Sequence, residues 1–186
     1  MTSTAPINTA TLSRRPGRDA PVRQLALETP VGVLVLEGDD EQLTRVWLPS
    51  EHGAPEQAPR RTAGNGALAA ASRQLTEYFR GRRRRFELPL AMGGTPFQQS
   101  VWWALADIPY GTTVTYGELA AAVGRPGACR AVGQANGANP LPIVLPCHRV
   151  VASGGRLGGY GGGLDLKRAL LGLEGRRDFE LPAAAG

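Results

Sequence analysis

Cys147 and the adjacent His148 are the two side chains of this sequence whose types and spacing suggest nucleophilic chemistry. Sulfur is nucleophilic as the thiolate, so a cysteine that reacts near neutral pH needs a base, and imidazole can serve as that base. The surrounding residues, 139–150, include three prolines, which predict a rigid, extended segment. Neighbouring side chains of an extended segment point to opposite faces, so we expect His148 to reach Cys147 through a bridging water.

The other candidate side chains indicate whether this Cys-His pair has an orienting group, a metal or a disulfide partner. Glu174, at the end of a predicted helix, is one candidate to orient His148. Cys129 is interpreted as a buried, unreactive thiol. Two cysteines and two histidines in 186 residues cannot form a four-ligand zinc site without carboxylates, and a secreted disulfide framework is not expected either. The sequence therefore predicts no metal and no cofactor.

Composition narrows the class of protein. A net charge of +5 and a pI near 9.9 favour an anionic partner such as nucleic acid. Lys167 is the only lysine among 21 basic residues, however, and genomic base composition can produce that arginine skew without selection for binding. The sequence has neither the apolar run of a membrane helix nor the apolar block of a secretory signal, which predicts a soluble, cytoplasmic protein.

The N-terminal half reads as a mixed α/β region. Residues 1–20 predict a disordered tail. Three β-rich runs predict an antiparallel meander; they lie at Val22–Leu27, Val31–Leu36 and Leu43–Leu48. After a polar linker at 49–66, apolar residues at helical spacing from Leu68 to Gly81 predict a helix that covers one face of the sheet. The arginines at 82–85 are interpreted as a solvated helix end rather than a DNA contact, and Phe86–Met92 as a further strand.

The C-terminal half is predicted to be helical. Thr95 and Pro96 have the types expected at a helix start, and apolar residues follow at helical spacing. Thr115–Glu118 has the form of a capping box that opens the next helix. Residues 124–127 break it, and a further helix from Ala128 to about Asn136 completes a helix-turn-helix.

The second helix of this motif is unusual for base recognition, because small residues leave only Arg130, Gln134 and Asn136 to reach outward. Small residues let a backbone approach a groove wall closely, and a single arginine among them can enter a base stack. The pattern predicts DNA contact without strong sequence specificity.

The segment Pro146-Cys147-His148-Arg149-Val150 resembles the active-site signature of the O6-alkylguanine-DNA alkyltransferases, also called methylated-DNA–protein-cysteine methyltransferases. Further matches occur in the family's order and approximate spacing: Tyr116 before a helix, Arg130–Gly133, Asn139-Pro140, Gly159–Gly162 and Leu170–Gly175. The resemblance covers residues 96–175 closely and the N-terminal region in outline.

The resemblance implies DNA repair by irreversible, single-turnover transfer of the alkyl group of O6-alkylguanine to the protein's own cysteine, with O4-alkylthymine as a second candidate lesion. Cys147 would be the acceptor, His148 the water-mediated base and Glu174 its orienter. Tyr116 would assist base flipping and protonate the departing guanine, and Asn139 would tie the helix-turn-helix to the active-site loop. Arg130 would replace the flipped base in the stack. The residues implied to bind DNA or the flipped base are Arg130, Ala131, Gln134, Pro142, Tyr160, Gly161 and Gly162.

The implied architecture is α+β with two domains. A ribonuclease-H-like α/β domain would occupy residues 21–93, and a mostly helical, winged-helix-like domain with the helix-turn-helix 94–178, followed by a tail at 179–186. The implied partner is double-stranded DNA containing O6-alkylguanine. The protein is expected to bind it as a monomer, with cooperative assembly along DNA as the alternative, and no membrane partner is expected. Two features depart from some members: Gly161 replaces a hydroxyl side chain, and N-terminal zinc ligands have no counterpart.

Three alternatives compete with this interpretation. A binding-only, alkyltransferase-like protein would lack the acceptor, so Cys147 argues against it. A helix-turn-helix regulator is disfavoured because the second helix offers little base readout. A cysteine hydrolase is disfavoured because no papain-like or caspase-like sequence surrounds the cysteine.

Overall fold

The computed structural model describes residues 22–49, 51–55, 57–59 and 66–179. The tail predicted at 1–20, residues 180–186 of the second predicted tail and part of the predicted linker lie outside the described residues. Ten regular elements follow in chain order: β1 (Arg23–Thr29), β2 (Gly32–Gly38), β3 (Leu43–Trp47), α1 (Ala67–Phe79), α2 (Pro96–Ala106), β4 (Val114–Thr115), α3 (Tyr116–Ala122), α4 (Cys129–Gly137), β5 (Val150–Val151) and α5 (Leu164–Leu173). Short 3₁₀ helices lie at Cys147–Arg149, Ser153–Gly155 and Arg177–Phe179.

The N-terminal meander is confirmed: β1, β2 and β3 pair antiparallel in that order. Helix α1 packs against all three strands through an apolar stripe at helical spacing that includes Leu68, Leu75 and Tyr78. The helix ends at Phe79 with Arg80 as its C-cap, and the next residue, Gly81, has a φ of 69°, the left-handed conformation typical of a glycine just after a helix. The arginines at 82–85 therefore follow the helix end.

The strand predicted at Phe86–Met92 is wrong. The backbone there makes a single bridge to the sheet, in which the Leu43 amide donates to Pro89 O over 2.9 Å and the Ala91 amide donates to Leu43 O over 3.0 Å. Proline has no amide hydrogen with which to extend a ladder. The segment still buries Leu90 against the core.

The helices of the C-terminal half begin where the sequence predicts. Thr95 and Thr115 each cap a helix in a reciprocal capping box, at α2 and α3 respectively. Helices α2, α3 and α4 pack against one another, and the Trp102 indole donates to Ala135 O over 2.8 Å, which joins α2 to α4. None of the helices in the described ranges is long and apolar enough to cross a membrane.

A short parallel pairing positions the reactive segment. Strand β4 leads directly into α3, and β5 follows directly after the 3₁₀ helix that contains Cys147. The two strands pair through Val114 with Val150 and Thr115 with Val151. The start of the helix-turn-helix and the reactive cysteine are thus joined side by side.

The N-terminal half touches the reactive region directly. The Val46 amide of β3 donates to Pro140 O over 2.9 Å. Leu48 and Leu166 close over Gly162, where an added Cβ would lie 2.8 and 2.5 Å from their methyl carbons. At the other end of the chain, Phe179 packs with Leu171, so the packed region extends one residue past the predicted boundary.

Leu75 of α1 is fully buried. We expect Leu75→Ala to lower the free energy of unfolding by about 2–5 kcal/mol, because it removes buried methyl groups and leaves a cavity. The control Arg73→Ala, on the exposed side of the same helix, should change it by less than about 0.5 kcal/mol. Urea unfolding followed by circular dichroism measures both, and equal effects would contradict the packing of α1 on the sheet.

Candidate active site

The carboxylate of Glu174 lies at the centre of a buried hydrogen-bond network. Its Oε1 accepts from His148 Nε2 at 2.9 Å, Tyr78 Oη at 2.8 Å and Arg149 Nη2 at 2.9 Å. Its Oε2 accepts from Arg149 Nε at 2.9 Å and from the Gly111 amide at 3.1 Å. The carboxylate therefore has five donors and no exposure to water.

Local chain geometry turns Glu174 inward. The residue caps the C-terminus of α5, and Gly175 follows it with a φ of 86°. The Arg176 amide then donates back to Leu171 O over 2.8 Å, as in a Schellman motif. This tight reversal directs the glutamate side chain into the protein.

The network keeps Glu174 ionised. Burial alone would raise the pKa of this carboxyl, but the hydrogen bonds from His148 and Arg149 and the positive charge of Arg149 outweigh burial and hold the pKa well below its usual range. The hydrogen bond from His148 lowers this pKa most, and the Arg149 guanidinium adds to it by contacting both oxygens in a bidentate pair.

The charge on Glu174 determines which nitrogen of His148 carries a proton. Burial lowers the pKa of His148, and the hydrogen bond to Glu174 only partly opposes this, so the imidazole is neutral near pH 7. A carboxylate can only accept, so the proton lies on Nε2. Nδ1 then presents a lone pair, and it has no hydrogen-bond partner in the part of the chain that the structure describes.

Cys147 lies in a 3₁₀ helix, so the extended backbone predicted around it is wrong. The Arg149 amide donates to Pro146 O over 2.9 Å and closes the turn. Successive side chains of a 3₁₀ helix fan out by about 120°, since it has three residues per turn. The turn thereby buries Cys147, His148 and Arg149 together, without the alternation of side chains that an extended segment would show.

The resting state of Cys147 is the thiol. Burial raises its pKa, and the nearby side chains of Asn139 and Lys167 lower it by less. A buried thiol in this setting needs a base before its sulfur can act as a nucleophile.

Asn139 joins the end of α4 to the reactive segment. Its Nδ2 donates to Leu145 O over 2.7 Å, and its Oδ1 accepts from the Leu141 amide over 3.0 Å. The side chain thus spans the bend that leads from the helix-turn-helix to Cys147.

A cavity of about 250 Å³ opens beside this segment, lined by Tyr116, Gly133, Asn136, Gly137, Gly159, Tyr160 and Gly161. Tyr116 is half-buried at the start of α3, with its hydroxyl 3.4 Å from Gly159 O. Burial and the neighbouring Cys147 raise the pKa of Tyr116, so it is a neutral phenol. Two residues that the resemblance implied for base binding do not line this cavity: Pro142 is buried in a turn, and Gly162 packs against Leu48.

Helix α4 presents Arg130, Ala131 and Gln134 to solvent. The prediction that Asn136 also reaches outward is wrong. Asn136 lies on the buried face with Val132, and its Nδ2 is 3.5 Å from Cys147 O. The spacing of four residues between these two positions is the signal that could have revealed this.

Cys129 is exposed, so its interpretation as a buried thiol is wrong. It is the first residue of α4, and it faces Gly117, where an added Cβ would lie 3.9 Å from the sulfur. The missing side chain leaves this thiol open to solvent. Neither cysteine belongs to a group of three His, Cys, Asp or Glu side chains able to hold a metal, as far as the described ranges extend.

Three functional candidates were not singled out from the sequence: Tyr78, Arg149 and Lys167. Lys167 is fully buried, and its ammonium donates to Val150 O at 2.6 Å and Leu157 O at 2.5 Å, with Gly159 O at 3.4 Å. Burial lowers the pKa of Lys167 to about 8. Its signal was its identity as the only lysine in an arginine-rich chain.

Comparison with known proteins covers both halves of the chain. The family model for the 6-O-methylguanine DNA methyltransferase DNA binding domain matches residues 96–176, and the model for its ribonuclease-like domain matches 22–92. The methylated-DNA–protein-cysteine methyltransferase of Mycobacterium tuberculosis is 47% identical over 151 residues, 81% of this chain and 91% of that protein. The constitutive enzyme of that name from Bacillus subtilis is 46% identical over 153 residues, 79% of this chain and 92% of that protein.

Solved structures give the same match. The crystal structure of Mycobacterium tuberculosis OGT in complex with DNA superimposes with a TM-score of 0.74 at 44% identity, covering 87% of this chain and 96% of that one. A mixed α/β fold of two domains is therefore confirmed.

Glu174→Gln should lower the free energy of unfolding at pH 7 by about 3–5 kcal/mol, because it leaves Arg149 buried without its carboxylate. The pKa of Glu174 is lower in the folded than in the unfolded state, so the stabilisation is complete above the unfolded-state value of about 4.3 and is lost as the pH falls further. The difference between wild type and variant should therefore shrink below about pH 4.

Urea titrations at several pH values measure this difference. The control Glu77→Gln removes a partly exposed ion pair with Arg83 and should cost less than about 1 kcal/mol. A difference for Glu174→Gln that persists unchanged in acid would contradict the assignment of an ionised, network-bound carboxylate.

Proposed function

We propose that this chain, which belongs to the 6-O-methylguanine DNA methyltransferase family, is a methylated-DNA–protein-cysteine methyltransferase. It repairs O6-alkylguanine in duplex DNA by one irreversible transfer of the alkyl group to Cys147. The observation that carries the proposal is the juxtaposition of a buried thiol, the paired His148 and Glu174, and a cavity lined by glycines. O4-alkylthymine is a second candidate lesion.

The chemical step is a displacement at the saturated carbon of the alkyl group. Nδ1 of His148 takes the thiol proton through one water molecule, and the resulting imidazolium is stabilised by Glu174. The thiolate forms the new sulfur–carbon bond while the carbon–oxygen bond breaks, and its electron pair stays with guanine. Tyr116, a neutral phenol beside the cavity, protonates the departing base. The imidazolium then gives up its proton and the tyrosinate regains one through solvent, so that in net terms one proton moves from the thiol to guanine.

The cavity suits an extruded base. Glycines at 133, 137, 159 and 161 line it, so backbone atoms rather than bulky side chains would approach the guanine. A Cβ added at Gly133 would lie 3.8 Å from the Tyr116 ring, so the absence of a side chain there leaves room between α3 and α4. Tyr160 supplies an aromatic wall, and the loop amides around Gly161 provide donors for the base.

Extrusion of the base is assigned to α4. Its exposed Arg130 would enter the stack that the flipped base leaves, while Ala131 and Gln134 contact the groove. Within this proposal Asn139 keeps the helix-turn-helix in register with the acceptor. The small exposed residues and the net charge of +5 support binding dominated by phosphate contacts.

The finer architecture belongs to the same proposal. Residues 21–93 form a ribonuclease-H-like domain and residues 94–178 a winged-helix-like domain. The protein acts as a monomer on double-stranded DNA in the cytoplasm, with cooperative assembly along DNA as the alternative arrangement.

Incubation with duplex DNA containing O6-methylguanine should increase the intact mass of the wild type by one methylene. Cys147→Ser should gain no mass yet retain DNA affinity, because a hydroxyl does not ionise at this site. Cys129→Ser is the matched control and should be methylated normally. Methylation of the Cys147→Ser protein, or its loss in the control, would refute the acceptor assignment.

Arg130→Ala should slow repair of duplex DNA by about 10- to 100-fold, since extrusion costs a few kcal/mol that the inserted side chain partly offsets. Reaction with free O6-benzylguanine requires no extrusion and should stay near the wild-type rate. Arg73→Ala, which removes the same charge from the exposed side of α1, should leave the rates of both reactions unchanged. Equal losses on the two substrates would mean that Arg130 supports the fold or the chemistry instead.

A further inference from the structure

We propose that Tyr78 of α1 is a positioning residue for alkyl transfer, which shares Oε1 of Glu174 with His148 and so tunes how strongly the imidazole holds a proton. The inference deepens the proposed function and rests on it. According to this inference, the N-terminal half not only packs against the reactive site but also contributes a side chain that affects its chemistry.

The contact is buried and long-range. Tyr78 Oη lies 2.8 Å from Glu174 Oε1 across 96 positions of sequence. The side chain is fully buried, and its ring packs against those of Phe86 and Tyr110 with centroids 5.6 and 6.1 Å apart. A phenylalanine would satisfy this packing equally well, so packing alone does not account for a phenol at this position.

The phenol acts as a donor to the carboxylate. Burial and the adjacent Glu174 raise the pKa of Tyr78 well above its usual range, so it keeps its proton. A hydrogen bond from a neutral phenol draws electron density from Oε1, the same oxygen that faces His148 Nε2. The carboxylate therefore stabilises an imidazolium less than it would without Tyr78.

Removing the hydroxyl should alter charge and leave the geometry intact. Arg149 and the Gly111 amide hold both oxygens of Glu174 independently of Tyr78. With the phenol gone, Oε1 carries more negative charge and binds a protonated His148 more tightly. The pKa of His148 should then rise.

Other ionisable groups around the pair stay constant in this comparison. Arg149 and Lys167 are the cations that lower the pKa of His148. Cys147 faces the site from the same 3₁₀ helix, and Tyr110, with Arg84 stacked 5.5 Å from its ring centroid, closes the side toward α1. None of these groups is changed by a substitution at Tyr78.

The test is the pH dependence of reaction with free O6-benzylguanine, a substrate that avoids DNA binding. At rest the thiol is protonated and His148 neutral, so the acid side of the profile reports loss of the imidazolium proton. Tyr78→Phe should move that midpoint to higher pH by about 0.5–1 unit. A 3-fluorotyrosine at position 78, which is a stronger donor, should move it to lower pH.

Tyr110→Phe is the matched control. It makes the same substitution in the same aromatic cluster, but its hydroxyl donates to Leu173 O, a backbone carbonyl, over 2.9 Å. The midpoint should therefore stay at the wild-type value. A lower melting temperature for Tyr78→Phe with an unshifted midpoint would overturn the proposal, as would an equal shift in Tyr110→Phe.

A direct titration separates this inference from the proposed function. His148 can be titrated by NMR in wild type and Tyr78→Phe without any substrate, with His52 as the internal reference. Failure of the wild type to react with O6-benzylguanine and with methylated DNA would refute the function alone. An unchanged His148 titration would refute the role of Tyr78 alone.

Discussion

A carboxylate removed from water stays ionised only if protein donors replace the water it has lost. Glu174 meets this requirement with five donor atoms, which come from the side chains of Tyr78, His148 and Arg149 and from the backbone amide of Gly111. The arrangement fixes the helix end at α5, the 3₁₀ helix at residues 147–149 and the loop at Gly111 relative to one another. It also forces the proton of His148 onto Nε2, which leaves a lone pair on Nδ1.

Lys167 is a second buried charge next to the reactive segment. Its ammonium binds carbonyls of β5 and of the glycine-containing loop, so the loop that borders the cavity is tied to the strand that follows Cys147. Burial raises the pKa of the Cys147 thiol, and the charge of Lys167 opposes this increase in part.

Local sequence signals predicted much of this architecture. The capping boxes at Thr95 and Thr115 depend on neighbours three residues away, and both helices begin there. Errors arose where a tertiary constraint decides the outcome: Pro89 limits the expected strand to one bridge, and Asn136 turns inward with the buried face of α4. The link from Tyr78 to the carboxylate has no local signal, because a buried aromatic on a helix is usually a packing residue.

Glu174 holds His148 as a neutral imidazole with its proton on Nε2. Nitrogen-15 NMR of the histidine rings tests this most directly, because the chain contains only two histidines, His52 and His148. At neutral pH we expect a pyrrole-type chemical shift for Nε2 and a pyridine-type chemical shift for Nδ1 of His148. A proton found on Nδ1, or a fully protonated ring at that pH, would contradict it.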